Sequence, residues 1–271
     1  MENIIFVIFG ATGDLTKRKI IPAIYGLIRR RKLRKFSIIG IARSKTTKEV
    51  ILNESKKFIN KVDKHVWKRL IESTNYMSVD FNRKEDYIKL KDFIDKEETK
   101  KILGNRLYYL ATLPRYFGVI THNLHKNKIT GKRNVWEKVV YEKPFGDNLK
   151  SAGNINKEVN GVFDEKQIYR IDHYLGKELV GNIALMRFTN SILEPLWCKE
   201  HVDNVQIVMK ENIGIGGRGK YYDEYGALKD VVQNHALQLL ALTAMDTPKK
   251  LSGEHIRNEK SKILEKVEVK D

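Results

Sequence analysis

The chain has 271 residues, of which 41% are apolar and 31% are charged, a composition typical of a globular protein with a buried core. No apolar run reaches the about 18 residues that a membrane-spanning helix needs, and the first apolar stretch is too short for a signal peptide, so we expect a cytoplasmic protein. Cys198 is the single cysteine, which excludes an internal disulfide framework and a multi-cysteine metal site. The net charge of +17 favours a polyanionic partner, either a small phosphate compound or nucleic acid.

A predicted strand and a glycine turn open the chain. Residues 4–9 form a continuous β-favouring run, which predicts a strand buried on both faces in a parallel sheet. Gly10 and Gly13 follow it, and glycines at such a turn let the backbone approach a phosphate at the N-terminus of the next helix. A second strand, predicted over 36–42, gives the start of a βαβ unit. The pattern indicates a dinucleotide site, with an ordinary tight turn as the alternative.

The residues after the second predicted strand indicate which dinucleotide is bound. An NAD site usually has Asp or Glu here, which accepts a hydrogen bond from the ribose 2′-hydroxyl. This chain has Arg43 and Ser44 instead, and the forked N–H groups of an arginine can bind a 2′-phosphate. The pattern therefore favours NADP over NAD, and the alternative is a solvated basic loop.

Further strands predicted over 76–80, 107–111, 135–141 and 167–171 complete a doubly wound parallel sheet. The strand that ends at residue 141 is followed by Lys143, at the edge where such sheets bind ligands.

A polar cluster follows the last of these strands. Asp172, His173, Tyr174 and Lys177 bring a carboxylate, an imidazole, a phenol and an ammonium group close together in the chain. If a helix begins near His173, the side chains of His173 and Lys177 share a face that can hold one phosphate. The alternative is an ordinary helix cap with a charged surface.

Four segments of the chain resemble motifs of the glucose-6-phosphate dehydrogenase family in the same order: 10–15, 142–146, 170–178 and 230–235. The resemblance implies an α/β fold, with a Rossmann-like doubly wound parallel sheet over 1–171 that binds NADP. A truncated α+β domain for substrate binding and dimerisation, with a mainly antiparallel sheet, is expected over 172–271. The implied reaction transfers a hydride from C1 of glucose 6-phosphate to NADP without a metal, giving 6-phosphogluconolactone and NADPH in the oxidative pentose phosphate pathway.

The same resemblance assigns roles to individual residues. His235 is the expected general base for the C1 hydroxyl, and Asp172 is its hydrogen-bond partner, since a carboxylate fixes the tautomer of a neutral imidazole. The expected substrate ligands hold the phosphate or sugar oxygens: Lys143, His173, Tyr174, Lys177, Glu211 and Asp230. The expected cofactor ligands surround the pyrophosphate, the 2′-phosphate and the nicotinamide: Gly10, Thr12, Gly13, Asp14, Leu15, Lys17, Arg43, Ser44, Leu113, Pro114 and Lys143.

The chain is about half as long as is usual in this family, so the resemblance implies only the beginning of the second domain. Expected there are a helix over 177–187, strands near 202–209 and 263–269, and the helix of His235. We expect a homo-oligomer or a companion chain to complete the sheet; a fragment or a reduced protein is the alternative. Two other functions stay open: NADP binding without turnover and, less favoured, nucleic-acid binding by the basic run 29–35.

Overall fold

The chain divides into two compact units in a computed structural model that describes residues 3–101, 104–131, 135–210, 214 and 219–268. The first unit is Met1–Ile171 and the second is Asp172–Asp271. Each unit has its own apolar core. Among the described residues, no helix is both long enough and apolar enough to cross a membrane.

The first unit contains a parallel sheet of six strands. They are β1 (Ile4–Phe9), β2 (Phe36–Ala42), β3 (Thr74–Ser78), β4 (Asn105–Leu110), β5 (Glu137–Tyr141) and β6 (Ile168–Arg170). The strand order is β3-β2-β1-β4-β5-β6, and every neighbouring pair is parallel. This is the order of a doubly wound dinucleotide-binding fold, so the predicted Rossmann-like sheet is confirmed.

Helices lie between these strands, and apolar side chains cover both faces of the sheet. The helices are α1 (Ile21–Arg29), α2 (Lys48–Lys56), α3 (Lys64–Glu72), α4 (Lys84–Lys101), α5 (Phe117–Lys126) and α6 (Leu149–Asn160). A π-helical turn, Thr16–Ile20, leads into α1, and 3-10 turns at Pro114–Tyr116 and Glu165–Gln167 precede α5 and β6. Successive residues of β1 alternate between two cores, which is the burial that its continuous apolar run predicts.

The second unit is helical where the structure describes it. Its helices are α7 (Glu178–Phe188), α8 (Gly219–Ala227), α9 (Leu237–Ala244) and α10 (Gly253–Leu264), and a π-helical segment, Leu228–Ala236, joins α8 to α9. A small core forms around Val180, Leu242 and Met245. The buried Arg187 guanidinium donates to the carbonyl oxygens of Leu242 and Met245 at 2.7 and 2.8 Å, and so satisfies acceptors at the end of α9.

The antiparallel sheet expected in the second unit is not present in its described residues. Residues 202–210 have no regular structure. No other described residue of the second unit belongs to a strand that could pair with their backbone groups. The strand expected over 263–269 is also wrong, because α10 continues through Ile263 to Leu264. Ile256 and Ile263 are spaced for one face of a helix, and both pack against the small core.

Arg106 is a buried cation that ties β4 to α4. Its Nε donates to Oε1 of Glu98 at 2.6 Å, and its Nη1 donates to the carbonyl oxygen of Ile129. Arg106→Met removes the cation that faces the buried Glu98 carboxylate, so we expect the free energy of unfolding, measured by urea titration, to fall by about 3–5 kcal/mol.

The matched control is Arg83→Met, which breaks the exposed pair between Arg83 and Glu85, whose nearest atoms are 3.6 Å apart. This variant should lose less than about 1 kcal/mol. Equal losses in the two variants would contradict a special contribution from the buried pair.

Candidate functional site

The turn after β1 holds the backbone against the end of β4. Gly10 has a φ of +88°, and a Cβ atom built on it would lie 2.1 Å from the carbonyl oxygen of Ala111. The carbonyl oxygen of Gly10 accepts hydrogen bonds from the N–H of Gly13 at 2.9 Å and from Oγ1 of Thr16 at 3.0 Å. Only glycine fits this position without strain. The turn is therefore a bare backbone cradle at the point where the strand order reverses.

A cavity of about 430 Å³ lies at the carboxyl ends of β1, β2 and β4. Its wall is formed by Gly10, Thr12, Ala42, Arg43, Ser44, Phe81, Ala111, Thr112, Leu113 and Tyr116. The hydroxyl oxygen of Thr112 is buried and has no hydrogen-bond partner among the described residues, so the cavity offers a polar group to a bound molecule. The bare turn and this hydroxyl fit a dinucleotide that runs across the carboxyl edge of the sheet.

Five of the expected cofactor residues line this one cavity: Gly10, Thr12, Arg43, Ser44 and Leu113. The other expected residues lie near the turn or at strand ends, and the cofactor roles of all of these residues stay predictions. Asp14 is paired with Arg18, and Lys17 with Glu54, at 2.8 and 2.6 Å. Gly13 ends the turn, Leu15 lies among the first helical residues after it, and Pro114 opens the 3-10 turn before α5. Lys143 follows β5, and its peptide bond to Pro144 is cis.

Two aromatic rings orient Arg43 at the rim of the cavity. Its Nη1 donates to the phenol oxygen of Tyr116 at 2.8 Å, and its guanidinium carbon lies 5.0 Å from the centre of that ring and 5.9 Å from the ring of Phe81. The exposed guanidinium is thus held in place for a planar or anionic ligand group. Sequence reasoning misses both rings, although the position of Phe81 just after the strand predicted over 76–80 is a usable signal.

The second unit brings Asp172 and His235 together. Nδ1 of His235 lies 2.8 Å from Oδ1 of Asp172, and only 6% and 15% of the two side chains are exposed. Because an ionised carboxylate can only accept, we assign the hydrogen of this bond to Nδ1. Nε2 is then the nitrogen that can take up a proton. The pair has the arrangement of a general base oriented by an acid.

The segment between Asp172 and α7 is a turn, and α7 (Glu178–Phe188) agrees to within one residue with the helix expected over 177–187. Oδ1 of Asp172 accepts a hydrogen bond from the backbone N–H of Tyr174 at 2.8 Å, which is the geometry by which Asp side chains form turns. No helix begins near His173, so the condition under which His173 and Lys177 would share a helix face is not met.

Instead, the Tyr174 ring packs against the His235 imidazole, and the Lys177 ammonium packs against the Tyr174 ring. The ring of Tyr174 stacks on the imidazole with centroids 4.3 Å apart and an interplanar angle of 20°. Nζ of Lys177 lies 3.4 Å from the centre of the same Tyr174 ring. The stacking limits how the imidazole can rotate, and the Lys177 ammonium is held on the neighbouring Tyr174 ring.

Further polar residues surround this pair in the second unit. Asp230 is buried in the π-helical segment that also carries His235, and Glu211 lies outside the described residues. Nζ of Lys260, on α10, donates to Oε1 of Gln238 at 2.6 Å. Burial lowers the pKa of Lys260, while the Asp172 carboxylate acts in the opposite direction. No local signal singles out Lys260, which is one of several charged residues in its helix.

Two family models match almost the whole chain: the NAD-binding domain of glucose-6-phosphate dehydrogenase over residues 7–182 and its C-terminal domain over 184–271. The curated glucose-6-phosphate 1-dehydrogenases of Chlamydia pneumoniae and Bacillus subtilis are 41% and 42% identical over 97% and 96% of this chain. These alignments cover 54% and 53% of the relatives, so the chain spans about half their length. A solved glucose-6-phosphate dehydrogenase in complex with glucose 6-phosphate is 39% identical, with a TM-score of 0.90 over 97% of this chain and 56% of that one.

Gly10 provides a test of the cradle. In Gly10→Ala the new methyl group collides with the Ala111 carbonyl, and φ is unfavourable for an L-residue. We expect the free energy of unfolding, measured by urea titration, to fall by about 2 kcal/mol or more. The control is Gly153→Ala on α6, where the added methyl group meets nothing within 4 Å. It should be neutral or stabilising by up to about 1 kcal/mol, and similar losses in both variants would refute a steric role for Gly10.

Proposed function

Because the chain belongs to the glucose-6-phosphate dehydrogenase family, we propose that it transfers a hydride from C1 of glucose 6-phosphate to NADP, giving 6-phosphogluconolactone and NADPH. The observation that carries this proposal is the buried hydrogen bond of 2.8 Å between Nδ1 of His235 and Oδ1 of Asp172. A general base needs a defined tautomer and a partner that stabilises its protonated form, and this pair supplies both.

His235 takes the proton of the C1 hydroxyl on Nε2. The O–H electron pair becomes the second bond of the lactone carbonyl as the hydride leaves C1. NADP supplies the hydride acceptor when it is bound. The Asp172 carboxylate stabilises the imidazolium that forms, and the Tyr174 ring holds the imidazole plane during this transfer. General base catalysis of this kind contributes about 10²- to 10⁴-fold in rate.

The residues around the pair suit a phosphorylated sugar. We propose that His173, Tyr174 and Lys177 bind the phosphate, for which the Lys177 ammonium beside the Tyr174 ring gives support. Asp230 and Glu211 are proposed to accept hydrogen bonds from sugar hydroxyls, and Lys143 of the first unit to contact sugar oxygens. The buried Asp230 carboxylate offers acceptor oxygens of the kind that sugar hydroxyls bind.

The cavity of the first unit supports NADP as the dinucleotide. We propose that the turn over 10–13 and the first helical residues after it, Asp14 and Leu15, face the pyrophosphate, with Lys17 nearby. Arg43 and Ser44, which follow β2, would bind the 2′-phosphate, and Leu113, Pro114 and Lys143 would flank the nicotinamide half. The support for the 2′-phosphate is the exposed, ring-oriented guanidinium of Arg43.

We also propose that the active form is a homo-oligomer or includes a companion chain. Large apolar side chains of the second unit support this, because Leu179, Ile192, Val208 and Leu228 are 81%, 74%, 71% and 68% exposed. Such exposure is typical of surfaces that bind protein. A cytoplasmic location stays a prediction.

The first functional test measures turnover. The purified chain with NADP and glucose 6-phosphate should produce NADPH, followed by absorbance, and His235→Asn should lower kcat by about 10²- to 10⁴-fold because the base is lost. His122→Asn, at an exposed histidine of α5, should match the wild-type protein.

Two other outcomes of this assay have defined meanings. Binding of NADP without turnover, in a sample whose native mass is that of one chain, would favour a binding protein that lacks activity alone. Equal turnover by the His235→Asn variant and the wild-type protein would contradict the assigned base.

The second functional test measures cofactor choice by fluorescence titration with NADP and NAD. Arg43→Ala should weaken NADP binding about 10- to 100-fold, because hydrogen bonds to a charged group are lost. It should leave NAD binding almost unchanged. Lys45→Ala, two residues further along the same exposed loop, controls for general charge and should have a much smaller effect. An unchanged preference in Arg43→Ala would refute the 2′-phosphate assignment.

A further inference from the structure

A tyrosine without an assigned role lies in the wall of the cavity in the first unit. Tyr116 closes the 3-10 turn before α5 and forms part of that wall. Its phenol oxygen accepts a hydrogen bond from Nη1 of Arg43 at 2.8 Å. The two residues are 73 positions apart, so this bond connects the loop after β2 to the segment after β4.

Aromatic packing gives the Tyr116 hydroxyl a defined position. The ring of Phe81, of which 3% is exposed, meets the Tyr116 ring edge to face, with centroids 5.3 Å apart and an interplanar angle of 73°. Phe81 also packs edge to face on Phe9 of β1 at 6.0 Å. Aromatic pairs favour this arrangement. The three rings therefore join the phenol to the core of the sheet.

Two guanidinium groups lie close to the Tyr116 ring. The guanidinium carbons of Arg43 and Arg115 are 5.0 and 5.1 Å from its centre. Both cations attract an anion, whereas they repel each other. The hydrogen bond to the phenol oxygen acts against this repulsion, so it helps to hold Arg43 at the cavity.

The hydroxyl of Tyr116 has a hydrogen left to donate. A tyrosine hydroxyl both donates and accepts, whereas an arginine can only donate. The Tyr116 oxygen is therefore the acceptor in the bond to Arg43, and its own hydrogen has no acceptor among the residues that the structure describes. This O–H and the free N–H groups of Arg43 can be donated to one anion.

We propose that the Tyr116 hydroxyl is a specificity-determining group, which accepts a hydrogen bond from Arg43 and donates its own hydrogen to the 2′-phosphate of the dinucleotide. A phosphate monoester has a charge of about −2 near pH 7 and three acceptor oxygens, so it can accept from both residues. A ribose 2′-hydroxyl has no such charge. The inference rests on the proposed assignment of Arg43 to the 2′-phosphate, to which it adds an uncharged donor.

The test measures two dissociation constants by titration calorimetry. The probes are 2′-phospho-ADP-ribose and ADP-ribose, which differ only in the 2′-phosphate. Tyr116→Phe keeps the ring and removes only the hydroxyl. It should weaken binding of the phosphorylated probe about tenfold, because a hydrogen bond to a charged group is lost, and change binding of ADP-ribose less than about twofold. An unchanged preference, or an equal loss for both probes, would overturn the inference.

The matched control removes a hydroxyl from the other side of the same loop. Tyr76, on β3, donates its O–H to the carbonyl oxygen of Ser44 at 2.6 Å, so this hydroxyl is already bonded to backbone. Tyr76→Phe should keep the ratio of the two dissociation constants within about twofold of the wild-type value. If it changed the ratio as much as Tyr116→Phe does, order in the loop would determine the preference, and the inference would be wrong.

Arg43→Ala separates this inference from the proposed function. A preference that falls in Arg43→Ala but not in Tyr116→Phe would overturn the inference and leave the proposed cofactor assignment intact. A preference unchanged in Arg43→Ala would count against that assignment, and the inference would fail with it.

The double variant tests whether the two donors act together. In the Arg43→Ala background, Tyr116→Phe should have a smaller effect than in the wild-type protein, because the hydroxyl has already lost the group that orients its hydrogen. Equal effects in the two backgrounds would contradict the coupling that the inference requires.

Discussion

The close approach of Gly10 to Ala111 constrains the whole carboxyl edge of the first unit. β1 is paired on both sides, so after Phe9 the chain must leave the sheet between two neighbouring backbones. The N–H groups of Gly10 and Ala11 donate to the carbonyl oxygen of Ile41 at 2.8 and 3.0 Å, and the N–H of Ala111 donates to that of Phe9 at 2.9 Å. No side chain fits at this crossing. Because of this constraint, the cavity is lined at this point by backbone without side chains. A phosphate can therefore contact the backbone directly.

The positive charge of the chain is distributed largely away from these sites. Arg43 lies at the cavity and Lys177 against the Tyr174 ring, yet the sequence contains 51 lysine and arginine residues. The basic run 29–35 connects α1 to β2 and therefore lies at the amino edge of the sheet, opposite the carboxyl edge that holds the cavity. The net charge of +17 is thus mainly a property of the protein surface, and two phosphorylated ligands account for only a small part of it.

The secondary structure of the first unit is predicted from its sequence more completely than that of the second unit. The strands of the first unit are predicted to within about two residues, as the strand at Thr74–Ser78 shows against 76–80. β1 and β2 are buried along their whole length, and short apolar runs of this kind between turn signals are typical of strands in a parallel sheet. The apolar residues near the end of the second unit are compatible with two structures, a strand and a helix. Ile263 fits a strand when only 263–269 is considered, and a helix once Ile256 is included, and the core around Val180 selects the helix.

The site residues also differ in how far the sequence predicts them, because some of their contacts are local in the chain and others are distant. The pairing of Asp172 with His235 spans 63 positions, so only the family resemblance connected them, and Lys260 has no local signal because its contact with Gln238 crosses between elements. Oδ1 of Asp172 accepts the N–H of Tyr174, which forms the turn before α7, and it accepts the Nδ1–H of His235. The turn and the proposed chemistry therefore depend on the same carboxylate oxygen, and the helix begins only after this turn, at Glu178.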